Sequence, residues 1–246
     1  MTDLAQRLTS IERRMDHANT RPKDAATLLI LDRGQAGEPR VLMGRRHERH
    51  RFMPGKFVFP GGRIDPSDSR IKPSNDYDPA VMAKMMHALK GPKTEARARA
   101  LAVAAIRETY EEAGVFVGDK TGENWRAPAD FTAFSERGIR IDLAPVRLIA
   151  RAITPPRRPR RFDTRFLAVW ADQICDQLPE GTGPTGELED LHWLSLEDTK
   201  ALDMPTITLT VIEELQHRLL TDEELDPATP IPFYQWRANR FVRELI

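Results

Sequence analysis

Residues 107–115, Arg-Glu-Thr-Tyr-Glu-Glu-Ala-Gly-Val (RETYEEAGV), close an alanine-rich stretch, and the arrangement of the rest of the chain depends on how they are read. At 3.6 residues per turn, the i, i+3, i+4 spacing of Glu108, Glu111 and Glu112 sets their carboxylates within an arc of roughly 100° on one helix face. Like charges at that spacing disfavour a helix by about 0.2–0.5 kcal/mol per pair, and acids in a last turn face the negative end of the helix dipole. Local helix energetics do not account for the cluster. A hard divalent cation does, because Mg²⁺ takes oxygen ligands, often one or two carboxylates completed by waters and substrate phosphates. A solvated acidic face fits the cluster alone equally well.

The helix that carries the cluster runs from about residue 94 to 113 and stops at Gly114, a residue free to take the left-handed conformation of a helix end. Leu101, Ala104 and Ala105 lie on its carboxylate side and Val103, Ile106 and Tyr110 opposite, which predicts a helix buried between layers. Upstream, residues 25–32 and 40–44 read as a strand hairpin across GQAGEP, with a short strand at 56–59 and the pair Gly61-Gly62 after it. Residues 66–78 form a polar loop leading into a helix with Asp78 as cap, Pro79 in the first turn and Gly91 past the end. Its apolar side, Val81, Met82, Met85 and Leu89, predicts a packing surface rather than a lid over an acyl-bearing ligand.

Downstream, residues 146–153 and 165–170 read as strands joined by TPPRRPRRFDT, and 188–194 as another. Ser195 with Asp198 reads as a cap for the helix that follows, and residues 207–220 as a helix with Ile207, Val211, Leu215 and Leu219 along one side. Strands mixed with helices predict an α/β fold in which a sheet lies between helical layers. Residues 1–22 form an N-terminal helical arm whose stripe, Leu4, Leu8, Ile11 and Met15, packs on its own domain or on a second subunit, making a homodimer the second expectation. Residues 23–246 make one domain.

Lys and Arg balance Asp and Glu at 37 against 37, which argues against nucleic acid or a membrane as the main partner. The single cysteine, Cys175, excludes an intramolecular disulfide and a multi-cysteine zinc site, and reads as a core residue in a reducing compartment. There is no 18-residue apolar run, and no peroxisomal tripeptide at Glu244-Leu245-Ile246. A cytoplasmic location is the expectation. His47, His50 and His87 lack zinc-site spacing and read as surface histidines.

RETYEEAGV matches the second half of the Nudix box. The first half lies upstream, where Gly62 and Asp68 keep the glycine, five residues, acid spacing with Asp in place of Glu. Between Asp68 and Arg107 stand 38 residues where the box has seven, an insertion of 31 that occupies about 69–99. A box split in this way resembles the coenzyme A diphosphatase branch of the Nudix hydrolases. Arg46, Arg51, Gly55 and Phe59-Pro60-Gly61-Gly62 keep that branch's spacing, whereas Gly44 and His47 depart from it.

The resemblance implies an α/β/α sandwich with the box helix in the active site, and Mg²⁺ or Mn²⁺ held by Glu108, Glu111, Glu112 and the loop acid Asp68. It implies that Arg107 orients the carboxylates, and that a water activated by the cation attacks one phosphorus of a nucleoside diphosphate compound. Glu111, Glu187 and Glu189 are the general-base candidates. Arg46, Arg51, Gly61, Gly62, Arg160 and Arg161 are the substrate-binding candidates, the arginines through forked contacts to phosphate oxygens. The implied substrate is coenzyme A or acyl-coenzyme A, cleaved to 3′,5′-ADP and a 4′-phosphopantetheine product. The alternatives are ADP-ribose, NADH or a dinucleoside polyphosphate, or a protein of this fold that binds such a ligand without cleaving it.

Overall fold

The computed structural model describes residues 4–11, 16–49 and 53–246. A short helix α1 (Leu4–Ser10) precedes the strands β1 (Lys23–Asp32), β2 (Arg40–Arg46), β3 (Phe57–Val58) and β4 (Gly61–Arg63). Helices α2 (Pro79–Met86) and α3 (Glu95–Ala113) come next, then β5 (Val115–Val117) and β6 (Asp119–Lys120). After α4 (Thr132–Glu136) come β7 (Ile139–Arg140), β8 (Arg147–Ile153), β9 (Phe162–Trp170), β10 (Ile174–Gln177) and β11 (Leu188–Ser195). Helix α5 (Thr206–Leu219) and the hairpin β12 (Pro232–Arg237) and β13 (Arg240–Leu245) complete the chain.

The main sheet has the order β11-β2-β1-β9-β8-β12-β13, with β3 on β2 and β4 on β1. It is mixed: β1 runs parallel to β9, with Leu28 opposite Leu167, and antiparallel to β2 and β4. A strand covered on both faces has no polar side, and β1 shows this: Leu28 and Ile30 enter the core under α3, Leu29 and Leu31 the core under α5 and α1. The outcome is the α/β/α sandwich expected from the sequence.

Helix α3 is the buried layer. Thr94 caps its start by accepting the Arg97 N–H at 3.3 Å, every residue from Ala100 to Arg107 is buried, and Gly114 ends it at φ 70°. Residues 69–99 supply α2 and the start of α3. Asp78 accepts the Ala80 N–H at 2.8 Å, Tyr77, Val81 and Met85 are buried in the core and Leu89 is buried too, so this segment packs on the domain and none of α2 reaches the cleft beside the end of α3. The helix ends at Met86, short of Gly91, because the chain turns out through Ala88 at φ 46°.

Expectations at strand ends need correction by one to three residues: ladder partners extend β9 to begin at Phe162, paired with Lys23, where the sequence pattern starts at Arg165, whereas β3 and β8 each begin one residue later than expected. The described part of the arm lies on its own chain. Leu8 is buried, Arg7 pairs with Glu213 at 2.7 Å, and the Phe241 N–H bonds the Thr9 hydroxyl at 2.9 Å. Met15 lies outside the described residues. Among the described residues, no helix is long and apolar enough to cross a membrane.

Candidate active site

The end of α3 runs beneath β4, and two glycines let it approach. A Cβ on Gly62 would overlap the Glu108 carboxylate, and the Gly61 N–H donates to Glu112 Oε2 at 2.9 Å. Gly61 also has φ 152°, a backbone angle that side chains rarely adopt. The glycine pair and the glutamates, 46 or more residues apart in sequence, are thus one structural unit.

Arg107 is buried and organises the acids. Its Nε and Nη2 grip Asp68 at 2.8 and 3.2 Å, its Nη1 lies 2.9 Å from Glu111 and 3.1 Å from Glu108, and Nη2 also donates to the Arg63 carbonyl at 3.2 Å. Asp68 itself accepts the Asp65 N–H at 2.6 Å, so both of its oxygens are engaged. Its observed place is that of Arg107's counterion beneath the carboxylates.

The C-terminal carbonyls of α3 do not face solvent. Gly183 N–H bonds the Glu112 carbonyl at 3.2 Å, and Thr185 bonds the Glu111 carbonyl through its N–H at 3.0 Å and its hydroxyl at 2.7 Å. This loop satisfies a helix end that would otherwise carry orphan acceptors. It also delivers Glu187 to the site. A cleft of about 600 Å³ results, lined by Glu108, Glu112 and Glu187 together with Arg46, Arg49, Arg63 and Arg160. Arg46 lies 3.8 Å from Glu112.

Burial shifts the acids. It pushes the Glu112 carboxyl up to about 8, with the neighbouring Glu108 charge adding to the effect and the Gly61 N–H opposing it. Glu108 and Glu111 are also raised, chiefly by burial, while Arg107 pulls each back. Burial and mutual repulsion thus outweigh the nearby charges of Arg107 and Arg46. The donor set, oxygen only and opening onto the cleft, suits a hard divalent cation. Among the described residues no three such side chains close into a metal cage, so Glu108 and Glu112 would hold an ion with waters and substrate oxygens completing its shell.

Other expected site residues are placed elsewhere. Glu111 turns to Arg107 and is not among the residues lining the cleft, and Glu189 lies 3.2 Å from His47 and 3.7 Å from Arg45 at the edge of the sheet. Arg161 bonds Asn19 Oδ1 at 2.8 Å and the Thr20 carbonyl at 2.6 Å, fastening the N-terminal segment. Arg51 and His50 lie outside the described residues. Sequence reading passed over Arg49, Arg63, Phe162 and Thr164, all of which line the cleft. The GGR run at residues 61–63 gave the one available signal, since a residue next to the glycine pair must border whatever the glycines admit. Gly44, the departure from the branch pattern, has a local cause: a Cβ there would meet Leu188 and Leu191 at 2.9 Å.

A mixed sheet between helices, with a glycine strand laid across an acidic helix end, is the architecture of a Nudix-fold hydrolase. No family model matches the chain. A solved NUDIX hydrolase from Alicyclobacillus acidocaldarius is 30% identical over 79% of this chain and 90% of its own, with a TM-score of 0.55. A Caenorhabditis elegans protein named as nudix hydrolase 7 is 26% identical over 170 residues, 63% of this chain, which spans only 46% of that relative's length. The chain belongs to the Nudix hydrolases.

Proposed function

We propose that this protein hydrolyses the diphosphate bond of a nucleoside diphosphate compound, with coenzyme A or acyl-coenzyme A as substrate. The observation that carries the reading is a single cleft lined both by carboxylates, Glu108, Glu112 and Glu187, and by arginines, Arg46, Arg49, Arg63 and Arg160. A bound Mg²⁺ or Mn²⁺ at Glu108 and Glu112 would supply neutralisation of the diphosphate charge and Lewis acidity. Arg46, Arg49 and Arg160 hold phosphate oxygens by charge-assisted hydrogen bonds. Glu187 takes the proton of the attacking water as its oxygen bonds one phosphorus and the P–O–P bridge breaks, so two phosphomonoesters leave. Arg107, fixed by Asp68, holds Glu111 and Glu108 in place and touches no substrate.

The coenzyme A assignment rests on the Arg46 to Gly62 spacing. The test is a panel of coenzyme A, acyl-coenzyme A, ADP-ribose, NADH and dinucleoside polyphosphates, with products identified by mass. Phosphomonoester products with Mg²⁺ and none with chelator are expected, with coenzyme A the best substrate. Binding without turnover under every metal condition would turn the reading to a ligand-binding protein, and faster cleavage of another compound would remove coenzyme A.

A further inference from the structure

The active-site cleft does not end at Arg160. A second cavity of about 460 Å³ adjoins it, and Arg63, Arg160 and Phe162 belong to the walls of both. Arg21, Lys23 and Arg161 complete its charged lining, and none of the described residues that line it is acidic. Five cations around one cavity repel one another unless an anion sits among them. Arg161 is already spent on Asn19 and Thr20, and that contact is what brings Arg21 to the rim. Lys23 is fixed beside it, since its N–H bonds the Arg161 carbonyl at 2.9 Å. Arg21, Lys23 and Arg63 make no ion pair with any described acidic side chain.

We propose that this chamber binds a second phosphate of the same substrate, a phosphate monoester remote from the cleaved anhydride, held by Arg21, Lys23 and Arg63 with Phe162 as the apolar wall between the two anionic ends. The shared walls favour one spanning ligand over a separate effector. The inference rests on the diphosphatase reading for what lies at the other end of the ligand. It assigns the distal contacts to Arg21, Lys23 and Arg63, and gives Arg161 the task of framing them. Arg63 joins the chambers, because Arg107 holds its carbonyl while its side chain borders both.

Matched pairs that differ only by the remote phosphate test it: coenzyme A against dephospho-coenzyme A, and NADPH against NADH. Binding is measured by calorimetry in chelator and turnover in Mg²⁺. The wild type is expected to bind the phosphorylated member of at least one pair ten to a hundredfold more tightly, the worth of one charge-assisted contact or two. In the Arg21→Ala/Lys23→Ala variant that ratio falls at least tenfold, and in Arg21→Lys/Lys23→Arg it is kept. Equal binding within both pairs, or a variant that weakens both members alike, overturns the proposal. So would inorganic phosphate raising turnover of the dephospho member to that of its partner, which would make the chamber a site for a free anion. Absence of turnover on every compound with the binding preference intact would overturn the diphosphatase reading and leave the chamber standing.

Discussion

In the proposed reading, Glu112 is the side chain on which the site most depends. It is buried, held by the Gly61 N–H, and pushed up to about 8. Glu112→Gln keeps the shape and the hydrogen bond but cannot become an anion, so cation binding and most turnover should be lost while the circular dichroism and melting of the protein persist. Full turnover at saturating Mg²⁺ would remove Glu112 from the metal site. The raised value also sets a pH dependence. A folded-state value above the ordinary 4.5 means the native protein keeps a proton that the unfolded chain releases, so metal-free stability should fall as pH rises from about 4.5 towards 8, by at most about 1.4 kcal/mol per unit from this group. Cation binding must expel that proton. Calorimetry near pH 7 should show about one proton released per ion, with affinity rising about tenfold per unit up to pH 8. Asp68→Asn acts differently, through Arg107. It should cost roughly 1.5–3 kcal/mol in a denaturant melt for the weakened charged contact, and about 10 to 100-fold in turnover, less than Glu112→Gln. A loss equal to that of Glu112→Gln would make Asp68 a direct ligand.

At the scale of elements, the site depends on a helix end and the loop that caps it. Gly183 is in contact with the last turn of α3, and a Cβ there would overlap the backbone of Glu111 and Glu112. Gly183→Ala should therefore displace the loop, which carries Glu187, against the last turn of α3, which carries Glu112. A shift of about 1 Å at a catalytic group is enough for roughly a hundredfold fall in kcat, so kcat should drop while KM stays close to that of the wild type. Unchanged kcat would separate the loop from the chemistry. The opposite wall is held by buried charges: Arg151 grips Asp163 at 2.8 and 2.7 Å, and Arg165 reaches Asp163 and Asp24 at 3.2 and 3.3 Å. These pairs lock the starts of β1 and β9, between which Ala25 and Thr164 border the cleft.

For the whole molecule, α1 packs on α5 and on β13, in the core on the side of the sheet away from α3. Removing residues 1–11 uncovers the surface that Leu8 fills, and should lower stability by about 1.5–3 kcal/mol for that side chain while leaving the mass in light scattering unchanged. A dimer that dissociates on removal would place the arm at a subunit interface. The sequence by itself determined the α/β class, helix α3 from its cap to Gly114, the acidic face and the glycine pair, because these rest on local periodicity and on residues whose backbone freedom is intrinsic. Strand ends and the short β5–β10 and β6–β7 pairs were decided by ladder partners farther along the chain, and the β12–β13 hairpin, local in itself with Arg237 opposite Arg240, takes its place in the sheet from the pairing of β12 with β8. The site divides the same way. Spacing alone puts Glu108, Glu111 and Glu112 on one arc, but only packing turned Glu111 to Arg107, sent Glu189 to His47, spent Arg161 on Asn19 and brought Arg49, Arg63 and Glu187 around one cleft. A side chain's partner is fixed by which distant segment burial sets beside it, and no local pattern encodes that.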